Sequence, residues 1–385
     1  MPKNLVICFD GTNNQFGREN TNVVRLVQSL DRDPSLQRLY YDPGVGTLPE
    51  PGALNCISRK ISELCGLAFG AGLTWKIQEA YCYLMDYWEP GDHVFIFGFS
   101  RGAYSARVLA GMLHALGLLP RGGHNLVPYA MRLLEGVRKE GGTEDDGGAP
   151  KRWGKLCDEF RWTFARPIPC GNDDRRFKVH FLGLWDTVSS VGWVWDPATF
   201  PHTAHNPSVE VVRHAVSVDE RRWFFRQNLV MKVDGQDLLE CWFPGVHSDV
   251  GGGYSDSGLW QGAFDWILAE ATKAGLLVDQ HRLNAILSKV PQRPWLQPQH
   301  ESLTPVWWLA EFFPKLRWFS RLHMRLPQIG LGRHRHVHPG ALIEYTTLMR
   351  IRECGYAPPN LSDNFRQRIR NLAPSNVPQM LPYQP

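Results

Sequence analysis

A chain of 385 residues is long enough for one large domain with insertions or for two, and its 43% apolar composition supplies material for a substantial core. The 42 Lys and Arg against 38 Asp and Glu leave a net charge of +4, too small an excess to point to nucleic acid as a partner. The eight cysteines show neither CxxC nor metal-finger spacing, so reduced, packed thiols are expected instead of a disulfide framework or a metal site.

At the N-terminus, "MPKNLVICFDGT" offers one lysine and an apolar run cut short by Asp10, which is too little for a signal peptide. No uninterrupted apolar stretch reaches the roughly 20 residues of a transmembrane helix. Synthesis in the cytoplasm without a signal peptide is the expectation.

In chain order, "NLVICFDGT" and "RLYYDPGVGT" read as strands, 74–88 as a helix, "HVFIFGFS" as a strand and 105–119 as a helix. The Gly-rich, charged segment 138–155 reads as an exposed loop insertion. "KVHFLGLWDTV" then reads as a strand, 208–222 ("SVEVVRHAVSVDERR") as a helix and "LLECWFPGVHSDVGGG" as a strand ending in a Gly-rich loop. The strand runs do not alternate polar and apolar residues, the mark of strands buried on both faces. Strands alternating with helices predict an α/β fold, a mainly parallel sheet flanked by helices. Toward the C-terminus Pro and Trp become frequent and strand signals scarce. The expected organisation is a core over 1–262 and a helical, loop-rich, Trp-rich cap over 263–385, packed together as one structural unit.

Gly98, Ser100 and Gly102 have the GxSxG spacing of a nucleophile elbow, in which flanking glycines let the chain turn sharply between a strand and a helix. A serine hydroxyl needs a base and an orienting carboxylate. Asp186 ends the apolar run of "FLGLWDTV", and His247 follows the strand of "CWFPGVHSD", in the order Ser, Asp, His expected of an α/β-hydrolase. Asp249 competes as the acid, but pairing within "HSD" is strained, and a role binding loop amides beside "GGG" suits it better. His202, His205, His334 and His336 have no strand behind them, and His214 falls on the expected helix, so these read as structural or surface residues.

Oxyanion donors are expected from the amide of Arg101 and from Gly11 or Thr12 of "FDGTNN", with Asp10 anchoring that loop. A phosphatase reading of "DGT" fails because Cys8 stands where its nucleophilic Asp is required. The "GRHRHVH" segment (332–338) has no acidic or Cys partner nearby and reads as a basic surface loop instead of a metal site. No metal or organic cofactor is required by this chemistry. Residues 303–329 mix Trp307, Trp308, Phe312, Phe313, Trp318 and Phe319 with Lys315, Arg317, Arg321 and Arg325. That mixture suits a lid or a peripheral contact with an anionic membrane as well as it suits an amphipathic helix pair packed on the sheet.

The blocks "FDGTNN", "NVVRL", "YYDPGVGT", "GFSRGAYSAR", "GLWDTVSSVG", "HAVSVDERR", "FPGVHSDVGGGY" and "VHPGALIEY" resemble, in this order, the uncharacterised α/β-hydrolase family that includes the catalytic domains of type VI secretion phospholipase effectors. The resemblance runs from about residue 4 to about 362. It implies a Ser-Asp-His hydrolase using Ser100, Asp186 and His247, and a phospholipid acyl ester as substrate. It also implies export by a type VI system to a target membrane, and a secretion-system or immunity partner. A phospholipase A is therefore the expectation. An esterase of small soluble esters and a catalytically inactive binding protein on the same fold are the alternatives.

Overall fold

The apolar runs are continuous because both of their faces are covered. Eight strands form one sheet among the residues that the computed structural model describes, which are 2–11, 17, 19–44, 69–139, 151–168, 175–188, 192–193, 196–197, 200–254, 258–312, 315–319 and 324–385. The strands are β1 (Asn4–Phe9), β2 (Gln37–Asp42), β3 (His93–Phe99), β4 (Val179–Trp185), β5 (Val209–Ser217), β6 (Asp237–Phe243), β7 (Leu342–Glu344) and β8 (Met380–Pro382). Their spatial order is β2-β1-β3-β4-β5-β6-β7-β8, parallel throughout except for the antiparallel β7–β8 pair. Successive side chains enter different cores: Leu5, Ile7 and Phe9 of β1 join one cluster, while Val6 and Cys8 join another.

The described helices are α1 (Asn22–Ser29), α2 (Phe69–Tyr87), α3 (Arg101–Leu116), α4 (Val127–Lys139), α5 (Lys151–Phe164), α6 (His247–Gly251), α7 (Trp260–Lys273), α8 (Gln280–Leu287), α9 (Pro305–Glu311), α10 (Tyr345–Glu353) and α11 (Asp363–Arg370). Helices α2 to α5 cover one face of the sheet, and α1, α7 and α8 the other. Around the β7 edge, α10 and α11 build a third cluster on Trp242 and Ile343. Among the described residues no helix is long and apolar enough to cross a membrane.

Several local expectations change. Residues 209–217 form strand β5 at the heart of the sheet instead of a helix. The polar residues within this strand are satisfied inside the protein. Arg213 donates to Glu270 (2.8 Å) and Asp237 (2.7 Å), while His214 Nδ1 donates to Glu240 (2.8 Å) and its Nε2 accepts from the Thr187 amide (3.2 Å). The boundary placed after residue 262 falls inside α7, and the segment beyond it adds two strands to the sheet. Residues 315–319 and 324–328 pair as an antiparallel hairpin after α9, so this stretch is not a helix pair. Of the segment 138–155, both ends are helical and 140–150 lie outside the described residues. Cys8, Cys82, Cys157, Cys241 and Cys354 are free thiols; Cys56, Cys65 and Cys170 lie outside the described residues.

The turn from β3 into α3 is possible only with small residues. A Cβ on Gly98 would lie 2.5 Å from the Gly102 carbonyl oxygen, and one on Gly102 would press into the carbonyls of Phe9 and Asp10. Those carbonyls belong to the end of β1, which the sheet holds on both sides. Gly102→Ala is expected to destabilise the fold by about 1–3 kcal/mol through overpacking, read as a lowered urea midpoint with an unchanged slope.

Candidate active site

Ser100 and Asp186 directly follow the adjacent strands β3 and β4, and His247 follows β6, so all three stand at the carboxyl edge of the parallel sheet, where such folds gather their functional groups. The amide of Ser100 donates to Trp185 O (3.0 Å) and that of Asp186 to Ala215 O (2.8 Å), so both residues extend the ladder one step before the chain turns. Both turn through left-handed backbone, with φ of 60° at Ser100 and 39° at Asp186. Such conformations cost on the order of 1–3 kcal/mol each and persist only where the surroundings fix them. His247 opens the short helix α6, and its amide donates to the buried carboxylate of Glu220 (3.2 Å).

The three side chains form one hydrogen-bonded row. His247 Nδ1 lies 2.5 Å from Asp186 Oδ2, and His247 Nε2 lies 2.7 Å from Ser100 Oγ. An ionised carboxylate only accepts, so Nδ1 carries the imidazole proton and Nε2 is left to accept from the serine hydroxyl. The ring lies against Phe99 (centroids 4.7 Å apart), and the Phe225 ring meets it edge-on at 4.8 Å. Ser100 itself is 6% exposed.

Asp186 accepts four hydrogen bonds on its two oxygens. Oδ1 receives Arg335 Nη1 (2.5 Å) and the Ser217 amide (2.9 Å), while Oδ2 receives His247 Nδ1 and Arg335 Nη2 (3.0 Å). Burial alone would push this carboxyl up; the Arg335 guanidinium and the His247 hydrogen bond instead hold it well below the usual carboxylate range. Burial likewise lowers the His247 imidazole below its ordinary value, with Asp186 opposing that shift, so the ring is neutral at pH 7. Glu220 is kept ionised against its burial by Arg222, whose guanidinium it binds (2.8 Å). That guanidinium stacks 3.7 Å from the Phe225 ring centre and 4.9 Å from that of Trp307.

Asp249 does not face the His247 imidazole. Its carboxylate accepts from the Val246 amide (3.0 Å), the His300 amide (3.2 Å) and the His300 ring (2.8 Å). Asp10 holds its own loop, accepting from the Gly11 amide (2.7 Å), Thr21 Oγ1 (2.9 Å) and Tyr41 OH (2.9 Å). The Gly11 amide is thus turned toward Asp10, and Thr12 lies outside the described residues. Arg101 is the first residue of α3, at the end of the helix where the backbone dipoles favour negative charge.

Two residues of this site are absent from the sequence reading. Arg335 comes from "GRHRHVH", taken above as a basic surface loop, yet it is 1% exposed and lies against Asp186. Glu220 comes from the "DERR" stretch assigned to the end of a helix. Glu220 lies in the block "HAVSVDERR" quoted above, but nothing there marked its role; the only signal for Arg335 was a cationic run with no acidic neighbour in sequence. His334 is partly buried, and His336 and His338 are exposed. Among the described residues no group of three His, Cys, Asp or Glu side chains could hold a metal ion.

Residues 3–270, well over half of the chain, match the family described as the catalytic domain of Tle1-like phospholipase effectors of the type VI secretion system (T6SS). An uncharacterized protein of Saccharomyces cerevisiae, YEL023C, is 40% identical over 231 residues, which cover 58% of this chain and 32% of the yeast protein. The chain therefore spans about a third of that relative's length. An uncharacterized protein from Pseudomonas aeruginosa is similar over 72% of this chain and 46% of its own, with 20% identity and a TM-score of 0.41. The Tle1 effector, solved bound to the VgrG spike of the type 6 secretion system, is similar over 66% of this chain and 51% of its own, with 21% identity and a TM-score of 0.34.

Proposed function

Because the chain belongs to the family of Tle1-like phospholipase-effector catalytic domains and is by that membership an ester-hydrolysing enzyme, we propose that it is a serine hydrolase, a phospholipase A that cleaves acyl esters of membrane glycerophospholipids. The observation that carries the reading is the hydrogen-bonded row from Ser100 through His247 to Asp186, built on strained turns at the edge of the sheet.

In this reading Ser100 Oγ attacks the ester carbonyl carbon while His247 Nε2 takes the hydroxyl proton, and Asp186 steadies the imidazolium through Nδ1–H. The negative charge on the carbonyl oxygen is met by the Arg101 amide and by a second donor from the Gly11–Thr12 turn. Gly11 serves only by exchanging its bond to Asp10 for the oxyanion. Collapse of the intermediate breaks the ester C–O bond. His247 returns the proton to the departing lysophospholipid oxygen, leaving an acyl group on Ser100. Water, deprotonated by the same imidazole, then releases the fatty acid and restores the serine.

The membrane part of the reading rests on α9. Its Trp307 packs edge-on against Phe225 (5.4 Å), whose ring meets His247, while Leu309 (69% exposed) and Phe312 (60%) face outward. In this reading a bilayer takes up this outer face and, through Trp307, shifts the Phe225 ring that lies against His247. Family membership also supports delivery by a type VI secretion system, with a secretion-system or immunity partner. Fatty-acid release from phospholipid vesicles, set beside hydrolysis of a short-chain soluble ester, is the test. Vesicle lipid is expected to be cleaved, and the activity to disappear in Ser100→Ala; activity confined to the soluble ester would contradict the lipid reading.

A further inference from the structure

The carboxylate in the proposed active site is held by a residue far along the chain. Arg335 lies 65 residues beyond the end of the family match, in the connection that leads to β7, and its guanidinium grips Asp186 with both Nη1 and Nη2. The same two nitrogens are held from other sides: Nη1 also donates to Ser217 Oγ (2.8 Å) and Nη2 to the Phe225 carbonyl, while Asn360 Nδ2 donates to the Arg335 carbonyl (3.1 Å). With Ser217 N and His247 Nδ1, these contacts fill all of the roughly four lone-pair positions of the carboxylate, so Asp186 has no freedom to rotate away from the imidazole.

The same contact has an electrostatic consequence. A bare carboxylate stabilises an imidazolium beside it; a carboxylate already paired with a guanidinium stabilises it less. The charged groups that bear on His247 are Asp186 from the end of β4 and Glu220 and Arg222 from the segment after β5; Arg335 lies behind Asp186 and acts through it. Glu220 and Arg222 form their own bidentate pair. Its other close neighbours, Ser100, Phe99 and Phe225, are uncharged. Both carboxylates near the ring are thus paired with a guanidinium, which weakens but does not abolish their pull on an imidazole proton.

We propose that Arg335 is a positioning residue of this enzyme: it locks the orientation of Asp186 and offsets its charge, so that His247 remains neutral and able to accept the Ser100 proton in mildly acidic surroundings. The inference rests on the Ser100–His247–Asp186 reading given above. It makes the segment beyond the family match part of the catalytic apparatus and not a covering alone.

The test is the pH dependence of the rate at which a fluorophosphonate modifies the full-length protein, with the adduct mapped by mass spectrometry. This readout needs no knowledge of the natural ester. For the wild type, labelling at Ser100 is expected with an acid limb below pH 6.5; a limb at 6.5 or above overturns the proposal without recourse to any variant. In Arg335→Met the limb is expected to move up by about one pH unit, since a neighbouring cation has been removed. In Arg335→Lys, which keeps the charge and loses the two-pronged grip, the limb is expected to stay while the plateau rate falls about tenfold or more. A folded Met variant with the wild-type limb, or a Lys variant with the wild-type rate, overturns the proposal and leaves the Ser100 reading intact. Absence of labelling at Ser100 in the wild type overturns both.

Discussion

Ser100→Ala is expected to lower kcat on any ester the protein hydrolyses by about 10⁶-fold while leaving the fold intact. The magnitude follows from the mechanism. Without Oγ there is no acyl-enzyme, and only binding and oxyanion contacts remain, which in such enzymes still give roughly 10³–10⁴-fold over water. The substitution removes one atom at a position that is 6% exposed and whose backbone bonds, Ser100 N to Trp185 O and Val188 N to Ser100 O, do not involve the side chain. The φ of 60° at this position suits alanine no better than serine, so stability should change little. Steady-state hydrolysis together with an unchanged urea midpoint checks both halves of the expectation.

Asp186→Asn is expected to cost about 10⁴-fold in kcat, and unlike Ser100→Ala it should destabilise the protein as well. The neutral amide places an NH₂ where either the His247 Nδ1–H or the Arg335 guanidinium needs an acceptor. Facing His247, it favours the tautomer that puts the proton on Nε2, where the base must be free. In either orientation the 1%-exposed Arg335 cation, which meets both oxygens, loses its counter-charge. Removing one partner of a buried pair typically costs about 3–5 kcal/mol, so the urea midpoint should fall together with activity. Loss of rate alone, at wild-type stability, would show that the Arg335 contact contributes less than its geometry suggests.

The parts of this protein that were legible in its sequence are those whose cause is local. Strands β1, β3, β4 and β6 announce themselves as apolar runs because each is covered on both faces, and the elbow at Ser100 is marked by two glycines at fixed offsets. The positions of Asp186 and His247 at strand ends were readable because each follows an apolar run. What escaped has long-range causes. Strand β5 interrupts its apolar run with Arg213 and His214, which a sheet interior accepts only because Glu270, Asp237 and Glu240 meet them from elsewhere in the chain. Strands β7 and β8 are three residues each, too short for any periodicity to show. Arg335 meets a carboxylate 149 positions away, and nothing in "GRHRHVH" distinguishes the one buried cation from its exposed neighbours. The hairpin after α9 is hidden for a related reason: its aromatic and cationic residues fit either a strand or a helix, and only pairing with 324–328 decides it.

The measurement closest to the central claim is to treat the wild-type protein with a fluorophosphonate, digest it and locate the adduct. One adduct, on the peptide containing "GFSRGAYSAR" and at Ser100, is the expected result, and it should be absent from His247→Ala as well as from Ser100→Ala, since the proposed mechanism has the serine activated by the imidazole 2.7 Å away. An adduct on another residue, or undiminished labelling in either variant, would contradict the account.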